Sequence, residues 1–149
     1  MSNIYTVILA AGKSTRFKGK KSKLLEDLGG LPIISHVDKI AKKISGKNVI
    51  IVCNRNNIND FKKIISNTKF VVQEKQNGTA DAILTAKPFI RSKSFLILFG
   101  DAPLLSLKSI KKLVNKYKKN KTPGSFIAFN ANDPSGYGRV KQINNKVTK

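Results

Sequence analysis

Apolar residues in this chain occur in short continuous runs that are rich in β-branched and aromatic side chains. Runs of this kind are typical of strands that are buried on both faces of a parallel sheet. Between the runs, apolar residues recur at helical spacing, which indicates amphipathic helices. The predicted strands are Ile4–Leu9, Val49–Cys53, Lys69–Gln73, Phe95–Phe99 and Ser125–Asn130, and the predicted helices are Pro32–Ile44, Ile58–Ser66, Ala80–Phe89 and Ser106–Lys119.

The predicted strands and helices alternate along the chain. Such alternation predicts an α/β fold, in which right-handed crossovers join parallel strands and helices cover the sheet. Thr79 is expected to cap the helix that begins at Ala80, and Val140–Val147 to begin a further strand or a hairpin. Because we find no internal repeat and no linker-like segment, we expect residues 1–149 to form a single domain.

The composition is that of a folded protein, since 149 residues with 40% hydrophobic side chains can build a buried core. Cys53 is the only cysteine, so no internal disulfide can form, and its place in an apolar run favours core packing. The sequence has no apolar stretch of the roughly 18 to 20 residues that a membrane span needs, and no signal-peptide pattern. We therefore expect a cytoplasmic protein without a membrane partner.

The formal net charge of +21 is extreme and raises nucleic acid as a class of partner. The basic residues are spread over most segments, however, and lysine greatly outnumbers arginine. This distribution is typical of a general drift in composition toward lysine rather than of a dedicated basic face. We expect no specific nucleic-acid partner, although the chain should adhere nonspecifically to polyanions at low salt.

A loop of small and basic residues, Leu9–Lys23, follows the first predicted strand. Ala10, Ala11 and Gly12 carry little bulk where the chain must turn, so backbone N–H groups can approach an anion closely. The loop also lies at the carboxyl end of a strand, where open α/β sheets bind ligands. It matches neither the Walker A motif nor GxGxxG. Two interpretations stay open: a phosphate-binding loop suited to a triphosphate, or a strand-to-helix turn followed by a solvated lysine run.

Asp101 is the acidic residue with the most informative position. It is one of only 8 acidic residues, and it follows the predicted strand Phe95–Phe99 at the same edge of the sheet as the basic loop. Mg²⁺ usually binds one or two carboxylates together with substrate phosphates, so Asp101 is a candidate metal ligand. The alternative is an ordinary turn or capping aspartate before Pro103.

Four separated segments carry a resemblance that no single motif would establish. They are Leu9–Phe17 with Ser22 and Lys23, Gln73–Ala82, Phe99–Leu104 and Asp133–Arg139. In this order and spacing they resemble the sugar-1-phosphate nucleotidyltransferases, and most of all the uridylyltransferase domain of bifunctional bacterial N-acetylglucosamine-1-phosphate uridyltransferase. The resemblance runs along nearly the whole chain.

The resemblance implies a Rossmann-like, mostly parallel sheet with helices on both faces, of the nucleotide-diphospho-sugar transferase type. It also implies a reaction in which UMP passes from UTP to a sugar 1-phosphate, with N-acetylglucosamine 1-phosphate as the expected acceptor. The products would be pyrophosphate and a UDP-sugar, a cell-wall precursor. The reaction would use Mg²⁺ as its cofactor.

The same resemblance implies roles for individual residues by motif position. Arg16 and Lys23 would be the catalytic residues on the nucleotide phosphates, and Asp101 would bind Mg²⁺. Gly138 would approach the sugar. The implied nucleotide contacts are Leu9, Ala10, Ala11, Gly12, Gln73, Gln76, Gly78 and Thr79.

The chain also departs from the family pattern. Ser14 stands where glycine is usual, Phe99 where tyrosine is frequent and Asp81 where histidine is common, which leaves the identity of the sugar open. In the family, a sugar-binding glutamate, further asparagines and a second Mg²⁺ ligand follow the stretch equivalent to Lys146–Lys149. We therefore expect a fold that is incomplete at its C-terminus, with most of a nucleotide site but only part of a sugar site.

These features allow three readings of the chain's function. The first is an active nucleotidyltransferase whose site is completed by self-association or by a partner chain, because a shortened sheet would leave an exposed edge. The second is a noncatalytic or fragmentary nucleotide-binding remnant. The third is a basic module that binds nucleic acid.

Overall fold

The computed structural model describes residues 4–12, 22–120, 122–143 and 146–147. Its main sheet is parallel, with strand order β3-β2-β1-β4, so β1 lies in the interior of the sheet between β2 and β4. Met1–Lys111 and Lys112–Lys149 form two compact units. The strands are β1 (Tyr5–Leu9), β2 (Val49–Cys53), β3 (Lys69–Val72) and β4 (Phe95–Phe99), and the α-helices are α1 (Ile33–Ser45), α2 (Ile58–Ile64), α3 (Thr79–Ala86) and α4 (Leu107–Asn120), with 3₁₀ turns at Lys23–Leu25 and Lys87–Phe89.

Helices cover both faces of this sheet. On one face, Val7 of β1 and Ile50 of β2 share a buried cluster with Ala82 of α3. On the other face, the hydroxyl groups of Thr6 and Ser45, the last residue of α1, lie 2.6 Å apart in a hydrogen bond. Because successive side chains of a strand point to opposite faces, α1 and α3 cover opposite sides of β1. This arrangement confirms the predicted α/β fold with helices on both faces.

The first four predicted strands are confirmed, each to within one residue, and each predicted helix has an observed counterpart. The prediction that Thr79 caps α3 is wrong, because Thr79 is itself the first residue of the helix. Gly78, with φ of 105°, occupies the cap position and no side chain caps the helix end. Among the described residues, no helix is both long and apolar enough to cross a membrane.

The predicted fifth strand is also wrong. Ser125–Asn130 lies in the second unit, is exposed throughout and joins no strand ladder. A strand requires a partner for its backbone groups, and no described strand pairs with this apolar run. The hairpin expected within Val140–Val147 is confirmed, because β5 (Gln142–Ile143) and β6 (Lys146–Val147) pair in antiparallel fashion.

Candidate functional site

The loops that leave β1, β2, β3 and β4 all lie at one edge of the main sheet, because the strands are parallel. Leu9 at the end of β1 is aligned with Val52 of β2 on one side and with Phe99 of β4 on the other. Cys53 at the end of β2 is aligned with Val72 of β3. The structure therefore brings the described parts of three predicted site segments to the same edge.

Two asparagines after β2 hold the loop that follows β1. Asn57 Nδ2 donates to the Ala10 carbonyl at 2.9 Å, and Asn54 Nδ2 donates to the Ala11 carbonyl at 3.1 Å. Asn57 is only 4% exposed, and its Oδ1 accepts from the Asn54 backbone N–H at 3.0 Å. No local pattern in the sequence singles out these asparagines, because their loop partners lie 47 and 43 residues away along the chain.

As a result, the carbonyls of Ala10 and Ala11 are already occupied, and we call residues 10–12, the described start of this loop, the donor loop. The carbonyl of Leu9 is occupied as well, since it accepts from the Gly100 N–H at 2.9 Å. Within the described part of the chain, the backbone N–H groups of Ala11 and Gly12 have no acceptor. Occupied carbonyls next to N–H groups that have no acceptor among the described residues favour an anionic ligand.

Glycine is required at position 100 because the ends of β1 and β4 approach each other closely there. A Cβ atom on Gly100 would lie 3.0 Å from the carbonyl oxygen of Leu9. It would also lie 3.2 Å from Ile34 Cδ1 and 3.3 Å from Leu24 Cδ1. This contact sets the position of the residue that follows, which is Asp101.

Lys23 and Asp101, predicted for different roles, form an ion pair in the structure. Lys23 Nζ donates to Asp101 Oδ2 at 2.7 Å, and the two side chains are 41% and 49% exposed. An ion pair this exposed contributes little to stability, with typical values of about 0 to 1 kcal/mol. Its main effect is to place a cation and a carboxylate beside the donor loop.

The residues at this edge fit a Mg²⁺ ion only if a ligand supplies further oxygens. Among the described residues there is no group of three or more acidic, histidine or cysteine side chains that could hold a metal. Asp101 offers a carboxylate ligand at the same sheet edge as the donor loop. One carboxylate shared with substrate phosphates is a usual arrangement for Mg²⁺, whereas a metal centre made by protein alone needs more ligands.

The loop after β3 forms a connected polar cluster. Gln73 is 3% exposed, and its Nε2 donates to Asp81 Oδ2 at 2.7 Å and to the Gly78 carbonyl at 3.2 Å. Gln76 Nε2 in turn donates to the backbone carbonyl of Gln73 at 3.2 Å. Thr79 is exposed at the start of α3. The predicted nucleotide-contacting residues of this segment are thus neighbours, and Asp81 belongs to the same cluster.

An exposed ion pair joins the loop after β2 to the loop after β3. Arg55 binds Glu74 through two contacts, Nε to Oε2 at 2.6 Å and Nη2 to Oε1 at 2.8 Å. These hydrogen bonds lower the pKa of the Glu74 carboxyl and raise the pKa of Arg55. Glu74 therefore stays ionised at neutral pH, and the paired geometry orients the two loops relative to each other.

The remaining two predicted site residues are Arg16 and Gly138. Arg16 lies outside the described residues. Gly138 lies in the second unit, in an exposed loop where the Arg139 guanidinium donates to the carbonyls of Pro134 and Tyr137. The catalytic, nucleotide, sugar and metal roles of the predicted residues all stay predictions.

Two solved structures share this fold. The bifunctional IspDF from Campylobacter jejuni matches with a TM-score of 0.71 at 23% identity, covering 99% of this chain and 37% of that chain. CMP:2-keto-3-deoxy-manno-octonic acid synthetase complexed with CTP matches with a TM-score of 0.69 at 19% identity, covering 80% and 49%. At these identities the likeness shows the fold alone, which is that of nucleotidyltransferases.

Sequence comparison adds a relative and a family. The bifunctional protein GlmU of Buchnera aphidicola subsp. Schizaphis graminum is 43% identical over 149 residues, covering 98% of this chain. This chain spans about a third of the curated relatives' length, with 32% of that protein covered. The profile of the MobA-like NTP transferase domain matches residues 6–137. These matches confirm the resemblance to the nucleotidyltransferases, and the chain belongs to the MobA-like NTP transferase domain family.

Proposed function

We propose that this chain forms the nucleotide-binding part of an enzyme that transfers UMP from UTP to a sugar 1-phosphate. The proposed acceptor is N-acetylglucosamine 1-phosphate, and the products are a UDP-sugar and pyrophosphate. The similarity to GlmU supports the choice of reaction, and the four loops at one sheet edge support the location of the site. We place the reaction in the cytoplasm, as part of cell-wall precursor synthesis.

The observation that carries this proposal is the donor loop beside the Lys23–Asp101 pair. The carbonyls of Ala10 and Ala11 are held by asparagine side chains, so the loop can approach phosphate oxygens without repulsion. Gly12 is exposed, and no atom of the described residues lies within 4 Å of the position a Cβ would occupy there. A bulky substitution at Gly12 would fill the space in which a phosphate group could meet the loop.

The proposed reaction needs orientation and charge compensation rather than a nucleophilic side chain. An oxygen of the sugar phosphate attacks the α-phosphorus of UTP, the bond to the β-phosphate oxygen breaks, and pyrophosphate leaves. The N–H groups of Ala11 and Gly12 would orient the phosphates, and the Lys23 ammonium would compensate the charge that develops on the leaving pyrophosphate. Bound Mg²⁺, held by Asp101 and the phosphates, would supply additional positive charge at the reacting group.

The uracil base is proposed to lie at the end of β3, next to Gln73. This placement follows from the motif resemblance and from the position of Gln73 at the same sheet edge as the donor loop. Gln76, Gly78 and Thr79 border the same position. Gly138 is proposed to contact the sugar, from its motif position alone.

The test of this function is the release of pyrophosphate from UTP and N-acetylglucosamine 1-phosphate with Mg²⁺. Calorimetry with UTP on the same sample measures nucleotide binding separately from turnover. Turnover would support the full proposal. Absence of both turnover and UTP binding would refute it.

A second candidate is a nucleotide-binding chain that turns over only with a partner chain or with a second copy of itself. The edge of β4 that faces away from β1 favours this candidate, because that edge has no partner strand among the described residues. UTP binding without pyrophosphate release would support this candidate. Pyrophosphate release by the chain alone, with a rate per chain that does not change with protein concentration, would exclude this second candidate.

A further inference from the structure

We propose that Asp81 sets the base preference of the nucleotide site by fixing which end of the Gln73 side-chain amide faces the base. The proposal rests on the proposed function, because it requires the base to lie beside Gln73. Asp81 acts here as a positioning residue, since its carboxylate contacts Gln73 and not the nucleotide.

The hydrogen bonds around Gln73 determine the orientation of its amide. Nε2 lies 2.7 Å from Asp81 Oδ2 and 3.2 Å from the Gly78 carbonyl oxygen. A carboxylate and a backbone carbonyl only accept hydrogen bonds, so the NH₂ end of the amide must face both of them. Each of its two hydrogens then has its own acceptor.

The oxygen end of the same amide is therefore the end left for a ligand. Within the described residues, Gln73 Oε1 accepts no hydrogen bond. Gln73 is only 3% exposed, so a turned amide could not replace its lost hydrogen bonds with bonds to water. A turned amide would also point its oxygen at the Asp81 carboxylate, which is electrostatically unfavourable.

An amide oxygen distinguishes the pyrimidine bases by their Watson–Crick edges. Uracil and thymine carry an N3–H group, which can donate to Gln73 Oε1. Cytosine has an unprotonated N3 at the same ring position, and its lone pair would face the oxygen. Cytosine would leave Gln73 Oε1 without a donor, and an unpaired buried acceptor weakens binding, so we expect UTP to bind at least about 5-fold more tightly than CTP.

The experiment is calorimetric titration of UTP and of CTP into the wild-type chain and three variants. Asp81→Leu removes the acceptor at similar size, and we expect the ratio of UTP to CTP affinity to fall about 5-fold, toward equal affinity for the two nucleotides. Asp81→Asn retains an oxygen that can accept from Gln73, so its ratio should fall less. Thr85→Ala is the matched control: Thr85 donates to the Asp81 backbone carbonyl at 2.8 Å, and its loss leaves the carboxylate in place. The control ratio should equal that of the wild type.

A second measurement tests the geometry without any nucleotide. In ¹⁵N NMR spectra, the Gln73 side-chain NH₂ hydrogens should exchange slowly with water in the wild type and faster in Asp81→Leu. If Asp81→Leu fails to fold, the calorimetric titration and the NMR measurement are both made on Asp81→Asn.

The outcomes separate this inference from the proposed function. A wild-type chain that binds UTP preferentially, with Asp81 variants that keep the wild-type ratio, would overturn the role of Asp81 and leave the proposed function standing. Equal binding of UTP and CTP by the wild type would also overturn it. A wild-type chain that binds neither nucleotide would overturn both proposals.

Discussion

Replacement of Asn57 by alanine tests whether the donor loop depends on the asparagines after β2. The Asn57 side chain is buried and makes two hydrogen bonds, one to the Ala10 carbonyl at 2.9 Å and one from the Asn54 N–H at 3.0 Å. Alanine removes both bonds and leaves a carbonyl and an N–H group without these partners. Because Ala10 is itself only 2% exposed, water replaces the lost partners poorly.

The cost of Asn57→Ala can be worked out from these two groups. A buried polar group left without its partner costs about 1 to 3 kcal/mol, so the two together should lower the free energy of unfolding by about 2 to 6 kcal/mol. With a urea dependence of about 2 kcal/mol per molar, the unfolding midpoint should fall by about 1 to 3 M. The assay is urea unfolding followed by circular dichroism.

The matched control is Asn56→Ala, one position away. Asn56 is exposed, and its hydrogen bond to Asn54 uses its backbone N–H, which alanine retains. We expect this variant to unfold within about 0.5 kcal/mol of the wild type, as surface substitutions usually do. Equal midpoints for Asn57→Ala and Asn56→Ala would refute the reasoning. If Asn57→Ala remains folded, its UTP affinity should also be weaker, since the Ala10 peptide is no longer held.

Three further predictions concern Gly100, Cys53 and Asp101. Gly100→Ala should lower the free energy of unfolding by about 1 to 3 kcal/mol, because its Cβ would lie 3.0 Å from the Leu9 carbonyl oxygen; an unchanged urea midpoint would contradict this. Cys53 is buried, and burial raises the pKa of its thiol to about 11, so a chromogenic disulfide reagent at pH 8 should label it only after denaturation. Rapid labelling of the native protein would show that the thiol is accessible. Asp101→Asn should abolish Mg²⁺-dependent UTP binding in calorimetry while changing the free energy of unfolding by no more than about 1 kcal/mol, because its ion pair with Lys23 is exposed. Metal-dependent binding that survives this substitution would remove Asp101 from the site.

The four strands of the main sheet could be predicted because each is a continuous apolar run that needs no distant information. The fifth predicted strand, Ser125–Asn130, shows the limit of that signal. Its apolar and β-branched residues have the same local pattern, but strand formation also depends on a neighbouring edge, which the sequence pattern does not report.

The residues of the candidate site also differ in whether the sequence alone could indicate them. Gly12, Lys23 and Asp101 could be proposed from composition and position, because small, basic and acidic residues at strand ends have few common roles. Asn54 and Asn57 could not, since a polar Asn-Arg-Asn-Asn stretch after a strand is locally just a turn. Their contribution depends on contacts with Ala10 and Ala11, in the loop after β1, that arise only when the sheet is assembled. The Lys23–Asp101 pair likewise joins residues 78 positions apart.

The Lys23–Asp101 ion pair has a thermodynamic consequence for the proposed site. A phosphate that binds the Lys23 ammonium competes with Asp101, and a cation that binds Asp101 competes with Lys23. Whichever ligand arrives first separates the pair, so the second no longer has to do so. Nucleotide and divalent cation should therefore bind with positive cooperativity, and each should raise the affinity for the other by the same factor. In the free protein the Lys23 ammonium and the Asp101 carboxylate thus neutralise each other, and the first ligand to bind separates them.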